Sequence, residues 1–278
     1  MKTLKTLTTL RHLRGLFLIL GLGIVLTSCS KDDDPTPLAN HKTYVIVHGA
    51  WQAANSWKLV KLELEQRGNK VITIELPGHG EDNTDPSGIH MDDYKAKVVA
   101  AIQAEPGKVV LVGHSLGGMV ISITAEAIPT KIERLIYVSG FIPNDGQSLL
   151  ELSSTDKESV LAHHLEPKGF LLDINDHSLI PKLFAEDATD DVKRELSDKY
   201  RADPILPFND HVTLSNQAFG SVVKSYIRTS KDLAIGMTLQ NQMIKDAKII
   251  DIHDIASSHS PQLSRPKELT DILISISK

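Results

Sequence analysis

A single cysteine, Cys29, is all the thiol this chain of 278 residues carries. One thiol excludes an internal disulfide and any metal site built from several thiolates. Blocks of positive charge are missing too. Thirty basic residues stand against 35 acidic ones, for a formal net charge of −5 with no basic tract. Nucleic acid is therefore excluded as an electrostatically held partner. No internal repeat is visible, and the apolar run Leu16 to Leu26 is too short to span a bilayer comfortably. What remains is globular in composition, 41% hydrophobic and 23% charged. The length suits one large domain, or a domain with an inserted lid.

That short apolar run has a meaning of its own. It follows Lys2, Lys5, Arg11 and Arg14 and ends in Leu26-Thr-Ser-Cys29, the pattern of a secretory leader. The ending resembles the lipobox of bacterial lipoproteins, whose leader is cut before the cysteine and whose cysteine is then lipidated. The resemblance implies a signal peptide over 1–28, lipidation at Cys29 and a tether over 29–42. Ser30-Lys-Asp-Asp-Asp34 resembles the acidic tether of surface-exported lipoproteins. The implied location is the bacterial envelope, with the outer membrane the expected site. Without the leader, 26 basic residues face 35 acidic ones, about −9.

The stretch that carries chemistry is Lys108-Val-Val-Leu-Val-Gly-His-Ser-Leu-Gly-Gly-Met-Val120. Val109 to Val112 is a β-branched apolar run of the kind a buried strand needs. Gly113-His-Ser-Leu-Gly117 fits G-x-S-x-G, and a helix is expected from Met119 to Ala127. A serine on a sharp strand-to-helix turn points its hydroxyl out of the sheet's carboxyl edge, and crowding at the turn requires glycines around it. The backbone N–H of Leu116 then faces a developing oxyanion, helped by the helix N-terminus. Serine at this position excludes the carboxylate nucleophile that other enzymes of such folds use.

Around this turn the chain alternates strand and helix. Strands are expected at Thr43–His48, Val71–Leu76, Arg134–Ser139, Val222–Arg228 and Lys248–Ile255. Helices are expected at Trp57–Arg67 (capped by Ser56), Met91–Ala104, Ile235–Lys245 and Pro266–Ile276. Such alternation predicts an α/β fold, a mainly parallel sheet with helices on both faces. Its ligands bind at the carboxyl ends of the strands. From Phe141 to Phe219 the rhythm breaks. The segment carries Pro167, Pro181, Pro204 and Pro207, candidate helices Leu149–His164 and Thr189–Arg201, and no strong strand. It reads as a cap, 141–219, inserted into a core of 43–140 and 220–278.

A serine hydroxyl needs a base, and an imidazole base needs a carboxylate to orient it. His259 follows the last strand and precedes the last helix; its rival, His253, lies inside that strand. Asp232 closely follows the strand Val222–Arg228, and Asp145 closely follows Arg134–Ser139, so placement leaves both as candidate acids. His48 and His79 sit in loop motifs and are expected to hold loop backbone. His114 is the variable elbow position, where a side chain can line the pocket. Trp51 and Met119 face either substrate or core. His163-His164 reads as a solvated helix face rather than a metal site.

Taken together the chain resembles the α/β-hydrolase superfamily, and within it the small-esterase and hydroxynitrile-lyase-like group. The resemblance rests on Val47-His-Gly-Ala50, Leu76-Pro-Gly-His-Gly80, Gly113-His-Ser-Leu-Gly-Gly118, Tyr137-Val-Ser-Gly-Phe-Ile-Pro143, Tyr226-Ile-Arg-Thr-Ser-Lys-Asp232 and His259-Ser-Pro261. It implies Ser115 as nucleophile, Asp232 as acid, His259 as base, and an oxyanion hole from the N–H groups of Ala50 and Leu116. It implies a small-molecule ester as substrate and no metal or organic cofactor. The hydroxynitrile lyases carry threonine and lysine where this chain has Gly49 and Ser260, which favours the esterase side. Ser258 also departs from the Asp or Gly usual before the histidine. A non-catalytic binding protein would have no need of all three triad residues.

The leader yields the first test. In a Gram-negative host the wild-type chain should partition with membranes and Cys29→Ser should not; equal partitioning of the two would refute the anchor.

Overall fold

The structure, a computed structural model, describes residues 41–278. The leader, Cys29 and nearly all of the tether lie outside the described residues.

In chain order the first half contains β1 (Thr43–Val47), α1 (Lys58–Gln66), β2 (Lys70–Ile74), α2 (Met91–Gln103), β3 (Val109–His114), α3 (Gly117–Ala127) and β4 (Ile132–Val138). Then come α4 (Leu149–Ser154), β5 (Leu165–Lys168), β6 (Leu171–Ile174), α5 (Ile180–Ala185), α6 (Asp190–Asp198), β7 (Asp203–Pro204) and α7 (Leu206–Asn209). The chain ends with β8 (Lys224–Thr229), α8 (Met237–Asp246), β9 (Asp251–Ile255), α9 (Pro261–Ser264) and α10 (Pro266–Ile276).

Six strands form one sheet in the order β2-β1-β3-β4-β8-β9, every pair parallel. The period-two alternation of strand side chains divides the core in two. Val45, Val47, Val109, Leu111, Leu135 and Tyr137 face the cluster completed by α2, α3 and α8. Their neighbours Tyr44, Ile46, Val110, Val112, Ile136 and Val138 face the opposite cluster, with Val60 and Leu64 of α1 and Leu269 and Leu273 of α10. Both faces are covered, which is why the central strands read as unbroken apolar runs. Because all six strands are parallel, the residues following β3, β8 and β9 emerge at the same edge.

Four expectations need correction. The segment 141–219 does contain strands: β5, β6 and β7 form a three-stranded antiparallel sheet in that order. Pro167 and Pro204 suggested otherwise, but both sit on its outer strands, where a missing N–H costs nothing. The expected helix Leu149–His164 stops at Ser154. There the hydroxyls of Ser153, Ser154 and Thr155 turn back to carbonyls three residues earlier, and the Asp156 carboxylate takes the N–H groups of Glu158 and Gly236. Such side chains offer the backbone an alternative to the helix. Ser56 does not cap α1; it lies in a 3₁₀ turn, Ala54–Trp57, with its hydroxyl on Ala53 O. At the other end, β9 starts at Asp251 because Lys248 takes a left-handed turn, φ 53°.

Leu111 sits at the middle of the sheet, between Val45 and Leu135, with no exposed surface. Leu111→Ala should cost about 2–5 kcal/mol of unfolding free energy in a denaturant titration; a loss under about 1 kcal/mol would contradict this packing.

Candidate active site

Ser115 occupies the turn between β3 and α3 with φ 52°, in the left-handed region that non-glycine residues avoid. The surroundings hold it there. Its N–H donates to Ser139 O (3.2 Å), and its carbonyl accepts from Gly118 N (2.9 Å) and Phe141 N (3.0 Å). The flanking glycines have a steric cause. A Cβ on Gly117 would lie 2.6 Å from Val47 O, and one on Gly113 would lie 2.5 Å from Gly117 O.

Asp232 and His259 meet at the same edge. His259 Nδ1 donates to Asp232 Oδ2 at 2.9 Å, and both side chains are 1% exposed. The carboxylate takes further bonds. Thr229 Oγ1 (2.7 Å) and the Ser139 hydroxyl bond Oδ2, and the N–H groups of Ala234 and Ile235 bond Oδ1 at 2.8 Å each. Burial alone would push the Asp232 carboxyl up. The positive charge available on His259 and the bonds from His259, Ser139 and Thr229 outweigh it, so the group sits below its ordinary value. Ser139 Oγ is also 3.3 Å from His259 Nδ1, which ties the Ser115 turn to the pair. His259 Nε2 is buried and makes no hydrogen bond among the described residues.

Ala50 and Leu116 are both buried, and neither N–H donates to a described residue. Both line a narrow, mainly apolar cavity of about 40 Å³ that also reaches Ser115. Trp51 and Ile235 line it from the core; Phe141, Leu149, Leu161, Leu165 and Phe208 are among the residues that line it from segment 141–219. Trp51, left open between substrate and core, has its ring between Phe184 and Phe208 and its Nε1–H on Leu172 O (3.0 Å). Met119 is wholly buried in the core.

The rival residues are occupied elsewhere. Asp145 Oδ1 accepts from Leu214 N at 2.9 Å, and His253 Nε2 lies 2.9 Å from Asp251 Oδ1 along β9. His48 accepts the Leu76 N–H (3.2 Å) and approaches Gly49 O (2.9 Å). His79 bridges Gln52 O (3.3 Å) and Tyr94 OH (2.8 Å). Asp203 Oδ1 is 3.2 Å from His79, yet burial pushes the imidazole well down and the carboxyl well up. His163 and His164 lie in a short 3₁₀ turn, and no cluster of three His, Cys, Asp or Glu suited to a metal occurs among the described residues.

Both departures from the hydroxynitrile-lyase pattern have local explanations. A Cβ on Gly49 would stand 2.7 Å from His114 Nδ1 and from Ser115 Cβ, so His114 fills the space a threonine would need. Ser260 is fully buried, and its hydroxyl accepts from neutral Gln52 at 2.7 Å. Sequence reasoning gave Ser139 and Thr229 no part, although both lay in quoted motifs. Nothing in a linear pattern says that two hydroxyls 90 positions apart converge on one carboxylate.

The alpha/beta hydrolase family profile matches residues 44–272. Putative methylesterase 11 (chloroplastic) of Arabidopsis thaliana is 29% identical over 253 residues, covering 86% of this chain; the chain spans only 64% of that protein. Methylesterase 9 of Arabidopsis thaliana is 29% identical over 256 residues, covering 84% of this chain and 98% of its own. The crystal structure of polyneuridine aldehyde esterase superposes with a TM-score of 0.77 at 23% identity, over 86% of this chain and 100% of its own; at that identity the likeness speaks to the fold.

The Asp232 carboxyl has a pH signature. Its folded value lies below the ordinary 3.8, so its contribution to stability is full above about pH 5 and is lost as pH falls through the folded value. The unfolding free-energy difference between wild type and Asp232→Asn should be flat from pH 6 to 8 and shrink below pH 4. A gap that widens on acidification would contradict the ionised assignment.

Proposed function

The chain belongs to the alpha/beta hydrolase family, and on that premise we propose that it is a serine hydrolase cleaving a small carboxylic ester through Ser115, His259 and Asp232. The observation that carries the reading is the state of the imidazole. With Nδ1 donating to Asp232, the neutral ring carries its lone pair on Nε2, an atom that is buried and has no hydrogen-bond partner among the described residues, at the edge where Ser115 turns. A base in this state is ready to take a proton. The names of relatives, methylesterases among them, support an ester as the substrate class.

In the proposed reaction His259 Nε2 takes the Ser115 proton as Oγ attacks the ester carbonyl. The oxyanion of the tetrahedral intermediate lies between the N–H groups of Ala50 and Leu116, preorganised donors that need no reorientation. Collapse breaks the C–O bond, and the alcohol leaves with the proton held by His259. A water, deprotonated by the same nitrogen, then attacks the acyl-enzyme and releases the acid. A cyanide-releasing lyase is disfavoured, since Ser260 faces a neutral glutamine and supplies no cation. Segment 141–219 acts as a cap that sets ester preference, a role supported by the apolar residues it places on the cavity wall, Leu149, Leu161, Leu165 and Phe208 among them. Anchoring through a lipid on Cys29 belongs to the same proposal.

If the three residues act as a unit, their losses do not add. Ser115→Ala and His259→Ala should each lower kcat by roughly 10⁴–10⁶, with the double variant hardly worse. Asp232→Asn should cost less, roughly 10³–10⁴, since it misorients the imidazole without removing it. Asp145→Asn and His253→Ala should stay within about tenfold of wild type, lying outside that unit. A large loss in Asp145→Asn beside near-normal Asp232→Asn would move the acid to the earlier strand.

A further inference from the structure

Behind the imidazole lies a second polar network with a fixed direction. His114 Nε2 is 2.9 Å from His259 O, an atom that only accepts, so His114 carries its proton on Nε2. Burial, then the charge on neighbouring His259, pushes His114 down to about 3, so the ring is neutral and its Nδ1 is an acceptor. Gln262 Nε2 lies 3.4 Å from that Nδ1 and 3.0 Å from Gln52 Oε1, so both of its N–H groups have a target. Gln52 must then turn its own NH₂ to Ser260 Oγ, and it does, at 2.7 Å. The backbone carbonyl of His259 fixes the direction of each bond from His114 through Gln262 and Gln52 to Ser260; Gln262 Oε1, outside that run, is buried without a hydrogen-bond partner among the described residues. His114, Ser260 and Gln262 have no exposed surface, and Gln52 is 7% exposed.

These four residues come from the three loops that the proposed chemistry needs in register. Gln52 follows Ala50 by two residues, His114 precedes Ser115, and Ser260 and Gln262 flank and follow His259. We propose that Gln262 and His114 are positioning residues: they lock the histidine loop to the nucleophile turn and the oxyanion loop by holding His114 as the neutral Nε2–H tautomer against the His259 carbonyl. This rests on the serine-hydrolase reading above. The neutral form matters because the His114 and His259 rings are 4.7 Å apart between centroids. A proton on His114 would oppose the imidazolium that forms at His259.

The test uses the folded hydrolase and a p-nitrophenyl ester, with folding checked by circular dichroism. His114→Phe keeps the ring volume without a donor, and Gln262→Met keeps the length without N–H groups. Each should lower kcat roughly 10- to 100-fold, the scale of a small misplacement of reacting groups, with KM within about threefold. His114→Gln, whose amide still reaches the carbonyl, should recover most of that loss. If His114→Phe and Gln262→Met keep kcat within about twofold while Ser115→Ala is inactive, the proposal is overturned and the serine-hydrolase reading stands. If Ser115→Ala is fully active, that reading falls and takes the inference with it. Should the variants fail to fold, ¹⁵N NMR of the wild-type histidine rings decides. His114 should stay the Nε2–H tautomer from pH 5 to 9, and an Nδ1–H tautomer or a titration in that range overturns the proposal.

Discussion

The carboxylate of Asp232 is buried and ionised, and the carboxyl edge of the sheet is arranged to keep it so. An isolated charge in such a place is costly, and it persists only with a partner and with its lone pairs filled. Here five donors converge on it: the imidazole of His259, the hydroxyls of Ser139 and Thr229, and the N–H groups of Ala234 and Ile235. They arrive from the ends of β4 and β8 and from the loop after β9. Neutralising the charge would therefore loosen the ends of β4 and β8 and the loop after β9 at once.

That convergence depends on the sheet being parallel throughout. A single antiparallel strand among β3, β4, β8 and β9 would send one of the contributing loops to the opposite edge. The parallel order also requires both faces to be covered, and the two hydrophobic clusters do this, with α2, α3 and α8 on one side and α1 and α10 on the other. The left-handed turn at Ser115 is paid for by this framework. Its backbone is held by Ser139, Gly118 and Phe141, and close packing admits only glycine on either side. Segment 141–219 adds the apolar wall that the open edge lacks, with Trp51 bonded to Leu172 across the join.

Much of this was legible in the residues. Val109–Val112 announced a buried strand, the glycines around Ser115 announced a crowded turn, and α10 ran over Pro266–Ile276 as its pattern predicted. The small sheet β5-β6-β7 was hidden because its prolines argued against strands, and their harmlessness follows only from their position at its edges. The helix from Leu149 was overextended because its apolar spacing continued past the point where Asp156 captured two backbone donors.

The sequence by itself determined the α/β alternation, the nucleophile-type turn at Ser115 and the short set of acids and histidines from which any site had to be drawn. Those are local facts, carried by side-chain periodicity, glycine spacing and chain order. Only the tertiary structure decided that Asp232 rather than Asp145 reaches His259, that His114 bonds the carbonyl of His259 instead of lining the cavity, and that Gln52 and Gln262 meet. Each of these pairs residues far apart in the chain, and a hydrogen bond is fixed by distances of a few tenths of an ångström. Such distances are set by how the whole sheet twists and packs, and no stretch of sequence holds them alone.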